Sequence, residues 1–171
     1  MKIRTGFVSN SSSSSFVVAF PNKPENADDV KKMLFPNGAK FYKNPYPHNS
    51  NSEKEWSTDE VAQTVWEVIL SQIPNNIEEI CDSISSGWFS PYKGLPGHDD
   101  SYIHSNTMID WKKVEETNKY RAEDIADRFI KDNKDSIIYV FVFSDNEGEY
   151  GCALEHGILF DNVKHVHISQ H

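Results

Sequence analysis

Ser9-Asn-Ser-Ser-Ser-Ser-Ser-Phe-Val-Val-Ala-Phe20 is the stretch on which the reading of this chain turns. Six serines and one asparagine fill Ser9 to Ser15, with Phe7-Val8 directly before them and Phe16-Val17-Val18 directly after. A disordered tail has no need for apolar residues on both sides of its polar run. The pattern predicts a polar loop pinned between two buried anchors. Ser15 to Phe20 is rich in β-branched and aromatic residues and stops at Pro21, which predicts a first strand buried on both faces.

Other elements follow outward from that strand. Ser136-Ile-Ile-Tyr-Val-Phe-Val-Phe-Ser144 is a near-continuous apolar run of strand length and reads as a central strand. Asp145-Asn-Glu-Gly148 is a hairpin turn signal, so Glu149 to Glu155 is expected to pair antiparallel with that run. Val163 to Ser169 makes a last strand. Asp28 can cap a short helix through about Leu34. Ser57-Thr-Asp-Glu60 has the form of a capping box, and Val61, Val65, Val68, Ile69 and Ile73 then share one helical face up to Pro74. Ile77 to Ser85 forms a further helix with Ile77, Ile80, Cys81 and Ile84 on one side. Asp110 to Asp132 is helical again, with Val114, Ala122, Ile125, Ala126 and Phe129 as its apolar set and a break expected in the polar stretch Glu115 to Lys119. Residues 36–56 and 87–107 read as long loops. The expectation is a single α+β domain over residues 1–171, a small and mostly antiparallel sheet packed by three to four helices.

Composition narrows the function classes. A net charge of −9 argues against a broad basic face for nucleic acid, which needs clustered Lys and Arg. It is compatible with a basic partner, or with an ordinary soluble protein. No apolar run approaches bilayer length and the N-terminus lacks a secretory pattern, so a soluble cytoplasmic chain with no membrane association is expected. Cys81 and Cys152 are widely separated and form no CxxC motif. They read as free, buried and inert thiols.

Three groups of residues carry candidate chemistry. Four of the seven histidines, His156, His165, His167 and His171, fall in the last sixteen residues. In a strand His165, His167 and His171 would share a face, with Val166 and Ile168 on the other; same-face neighbours lie roughly 6.5–7 Å apart. Imidazoles at that spacing can converge on one divalent metal ion, with His165, His167 and His171 as ligands. Glu155 and His156 could then serve, with His165 and His167, as acid–base groups. The same histidines equally form the polar outer face of an edge strand. In the serine tract, Ser9, Asn10, Ser11, Ser12 and Ser13, helped by Arg4, could hold a phosphate or carboxylate through hydroxyls and backbone N–H groups. A serine turn that satisfies its own backbone, or a phosphorylation site, fits those residues as well. His98-Asp99-Asp100 with His104 is a third candidate cation cluster.

Both ends resemble one pattern. Gly6-Phe-Val-Ser-Asn-Ser-Ser-Ser-Ser-Ser-Phe16 resembles the opening of a scattered set of hypothetical phage and bacterial proteins, and Glu155-His-Gly157, Phe160 and His165-Val-His-Ile-Ser-Gln-His171 resemble their C-termini. The likeness covers about the first eighteen and last seventeen residues. It implies a phage or prophage setting, in the cytoplasm of a bacterial host, and brings no activity with it. It also implies that the two ends meet in space. Two functions are then in view. One is binding or hydrolysis of an anionic small molecule, a nucleotide or phosphoester, at a serine-plus-His/Glu site. The other is a non-catalytic acidic protein that occupies a host protein through its acidic surface and the aromatic loop 87–107.

Overall fold

Ser13–Phe20 forms β1, with Phe16, Val17, Val18 and Phe20 wholly shut off from solvent. The computed structural model describes residues 13–43, 55–85, 111–144, 148–155 and 158–169. In chain order after β1 come α1 (Ala27–Leu34), β2 (Phe41–Lys43), β3 (Glu55–Ser57), α2 (Thr58–Leu70), α3 (Ile77–Ser85) and α4 (Trp111–Asp132). They are followed by β4 (Ile137–Ser144), α5 (Gly148–Glu155) and β5 (Lys164–Ser169). The main sheet runs β4-β1-β5, with both neighbours antiparallel to β1. A two-stranded ribbon, β2-β3, stands apart within the expected loop 36–56. This is a small α+β domain.

Strand alternation divides the core into two layers. Phe16, Val18 and Phe20 of β1 join Tyr139, Phe141 and Phe143 of β4 against α1, α2 and α5. Val17 and Ala19 join Ile138, Val140 and Ile168 against α3 and α4, where Ala122 and Ala126 allow close approach. Burial on both faces is what the near-continuous apolar runs of β1 and of residues 138–141 in β4 require.

The helix ends follow their caps. Ser57 and Glu60 form the expected capping box of α2: Ser57 Oγ accepts from Asp59 N–H at 3.2 Å, and Glu60 Oε2 accepts from Ser57 N–H at 3.3 Å. The α1 cap is Asn26, whose Oδ1 accepts from Asp29 N–H at 2.9 Å; Asp28 sits in the first turn instead. The α4 helix runs through Glu115 to Lys119 without a break.

Four further expectations are corrected. Residues 149–155 are helix, not a hairpin strand: Ala153 and Leu154 are both buried in one layer, which adjacent residues of a strand cannot achieve. The long apolar run Ile137–Ser144 is an edge strand; the centre of the sheet is β1. The first strand begins at Ser13, two residues before the expected Ser15, so Ser13 and Ser14 belong to β1 and not to a loop, and Ser14 and Ser15 are buried. Ile73 lies beyond the end of α2 and is 73% exposed, and Ile77 at the start of α3 is 56% exposed, so neither joins an apolar face.

The reason no hairpin forms on β4 lies in the α2–α3 connection. Residues 71–76 pass around the outer edge of β4 from one core layer to the other. Gln72 Nε2 donates to Val140 O, and Gln72 Oε1 accepts from Val140 N–H at 3.0 Å. Asn75 N–H donates to Ile138 O at 2.9 Å, and its Oδ1 accepts from Ile138 N–H at 2.8 Å. Asn75 adopts φ 57° to do so, a left-handed conformation that asparagine tolerates better than most residues. A side-chain amide and a turn thus substitute for a neighbouring strand.

Candidate functional site

Register fixes what faces what. Ile138 and Val140 turn their N–H and C=O groups to the outer edge, so Tyr139 and Phe141 turn theirs to β1. Phe16 therefore exchanges hydrogen bonds with Phe141, and Val17 with Val166. Phe16 opposite His167 is then a non-hydrogen-bonded pair, the closer of the two kinds, with Cα atoms about 4.5 Å apart. The rings respond accordingly: His167 lies on Phe16 with centroids 4.5 Å apart and planes 4° from parallel.

His165 and His167 do share a face, opposite to Ile168, whose side chain joins the α3–α4 layer. Theirs is the face of the aromatic layer. His165 lies 6.4 Å from Phe16 and 6.3 Å from Phe160 by ring centroids, and Phe160 is itself 5.2 Å from Phe16. His165 Nδ1 is 3.1 Å from Val163 O. A carbonyl only accepts, so Nδ1 is the nitrogen that carries a proton, and a neutral ring held this way presents its lone pair on Nε2. That is the arrangement by which a ligand or base histidine is oriented. Both rings are half-buried, so the reading of them as a solvated outer face does not hold.

The serine tract enters the sheet beside the end of the histidine strand. Ser14 is opposite Ser169 on β5 and opposite Phe143 on β4, and Ser13 is opposite Ser144. One end of the sheet is thus bordered by serines on all three strands. Ser144 was not singled out by its sequence context; only the antiparallel pairing of its run with β1 brings it here. Glu155 ends α5, whose Ala153 and Leu154 pack in the same aromatic layer, and its carboxylate is fully buried. The helix is tied down by Tyr42, whose hydroxyl donates to Ala153 O at 3.0 Å. The turn that follows is tied to α1 by Asn162, whose Nδ2 donates to Leu34 O at 2.8 Å.

Of the expected site residues, Ser13, Glu155, His165 and His167 lie in described elements. Arg4, Ser9, Asn10, Ser11, Ser12, His156 and His171 lie outside the described residues, as does the 87–107 segment with its His98-Asp99-Asp100 and His104. Among the described residues no three of His, Cys, Asp or Glu come together as metal ligands. Cys81 is a free, half-buried thiol on α3. Burial first, then the carboxylates of Glu123, Asp127 and Asp82, push its pKa up, which makes it a poor nucleophile. No described helix is long and apolar enough to cross a membrane.

Comparison with protein-family models, with curated proteins and with solved structures gives no match for this chain.

Proposed function

We propose that this end of the sheet binds an anionic small molecule, a nucleotide or another phosphoester. In this reading the serine tract holds the anion, and His165, His167 and Glu155 supply the polar groups that recognise it or move a proton. The observation that supports it is the register of β1 against β5. Ser14 opposite Ser169, two positions from Phe16 opposite His167, joins hydroxyl-rich backbone to the imidazole face on one surface. A buried carboxylate, a histidine with its tautomer set by Val163 O, and serines at strand ends are the groups a phosphoester site uses. Metal-dependent hydrolysis is the reaction this set of groups suggests, with His156 and His171 as the candidates to complete a ligand set with His165 and His167.

The experiment is calorimetric titration of the purified chain with ATP, GTP, AMP, cyclic AMP and inorganic phosphate. Each is run with Mg²⁺, with Zn²⁺ and with neither, and phosphate release is assayed in parallel. Saturable binding that the His165→Ala/His167→Ala double variant loses, while staying folded, is the expected result. No binding to any of these ligands, or binding that the double variant retains in full, would overturn the proposal.

A further inference from the structure

The connection that covers the β4 edge inverts the usual surface pattern. Its polar side chains, Gln72 and Asn75, turn inward to the backbone of Val140 and Ile138. Its one large apolar side chain, Ile73, stays outside at 73% exposed, and so do the apolar residues at its two ends, Leu70 closing α2 at 65% and Ile77 opening α3 at 56%. Turning Ile73 inward would pull Gln72 and Asn75 away from Val140 and Ile138, so edge protection itself holds Ile73 in water. These three residues lie within eight positions around one corner of the chain, and exposed apolar groups presented together mark interaction surfaces.

Charge states what kind of partner fits. From Glu55 to Ser85 the chain carries seven carboxylates and no Lys, Arg or His. Lys31 neutralises Asp59 at 2.7 Å and Lys43 neutralises Glu55 at 3.0 Å, both at the far end of α2 from Leu70. Among the described residues no cation pairs with Glu67, Glu78 or Glu79, which flank the apolar trio. A second copy of the chain would bring the same carboxylates against themselves, at −9 on each molecule. An anionic membrane is repelled for the same reason.

We propose that the α2–α3 corner, centred on Leu70, Ile73 and Ile77 and rimmed by Glu67, Glu78 and Glu79, docks a basic amphipathic helix of a partner protein. Leucine-like side chains of that helix would cover the trio, and its lysines or arginines would meet the carboxylates. The surface lies apart from the serine end of the sheet and does not depend on what binds there.

The test uses a labelled helical peptide with leucines on one face and lysines on the other, followed by fluorescence anisotropy against the full chain. Controls are a peptide of the same composition in scrambled order and one with glutamates for lysines. Saturable binding of the first peptide alone is expected. It should weaken about tenfold or more in Ile73→Ser and in Leu70→Ser, whose exposed positions leave the fold intact. It should weaken again in Glu67→Gln/Glu78→Gln and as salt rises from about 50 mM to about 500 mM. Equal binding of the scrambled peptide, or unchanged binding to Ile73→Ser and Leu70→Ser, would overturn the proposal. So would self-association of the chain in sedimentation that those two variants abolish, which would assign the surface to a second copy.

Discussion

His167 lies flat on Phe16, 4.5 Å between ring centroids, across a non-hydrogen-bonded pair of β1 and β5. Phe16 is fully buried and also meets Phe160 and Phe143, so it fixes both the core and the histidine. Packing and chemistry at this point can be separated by mutation. Phe16→Ala should cost about 3–5 kcal/mol in urea denaturation, as expected for an emptied aromatic core site. His167→Phe keeps a ring on Phe16 and removes both nitrogens. Its stability loss should be smaller than that of Phe16→Ala, while any ligand affinity of the serine end should fall by tenfold or more, about 1.4 kcal/mol.

The edge of β4 gives a second expectation. Gln72→Ala leaves the Val140 N–H and C=O unpaired on an edge strand, a loss of about 1–3 kcal/mol. Asn75→Ala removes the acceptor for Ile138 N–H and also strains a residue at φ 57°. Both variants should melt earlier than the parent, and light scattering near the transition should show faster aggregation, because an uncovered edge templates pairing. Unchanged melting and scattering in both would show that the connection does not guard the edge.

A third concerns the start of α2. Ser57→Ala removes the Oγ acceptor of the capping box and should cost about 1 kcal/mol. Thr58 anchors the same turn, its hydroxyl donating to Ala39 O at 2.9 Å. Equilibrium denaturation of Ser57→Ala, with Ser57→Asp as a replacement cap that restores stability, checks this.

The fourth is a pH dependence. Burial, helped by Glu123, Asp127 and Asp82, raises the Cys81 pKa in the folded chain above its unfolded value. The folded state therefore holds this proton more tightly. The resulting stability is complete below the unfolded thiol pKa and is lost as pH rises through the raised folded value. Between about pH 7 and about pH 10, the urea midpoint of the parent should fall more steeply than that of Cys81→Ser. Parallel profiles would contradict it. Alkylation of folded Cys81 should likewise be slow near neutral pH.

Much of the fold was legible because local signals agreed with tertiary needs. The Ser57–Glu60 box, the β-branched run after Ser15 and the Ile80–Ile84 face each read the same way alone and in the structure. The failures share one cause, which is that pairing is not local. Apolar content marks Ile137–Ser144 as buried on both faces but cannot say whether its edges meet strands. Gln72 and Asn75 take one edge, and no sequence rule reads a glutamine as a strand substitute. With that edge closed, Gly148–Glu155 had no strand to join and forms a helix that packs Ala153 and Leu154 into the aromatic layer instead. The serine run misled at its C-terminal end for a related reason: Ser13 and Ser14 extend the strand that was expected from Ser15 because their backbone pairs with β4, and that of Ser14 with β5 as well, whatever their side chains prefer. The sharing of a face by His165 and His167 was legible from alternation. That this face meets Phe16 and the aromatic layer was not, because it depends on the register in which the last strand pairs with β1.

The most direct test of the site is a two-dimensional amide NMR titration of the isotope-labelled chain with ATP, with and without Mg²⁺. Saturable shifts concentrated at Ser13–Ser15, Ser144, Glu155 and His165–Ser169, and lost in His165→Ala/His167→Ala, are the predicted result. Saturable shifts confined to other elements, or none at any concentration short of nonspecific binding, would contradict it.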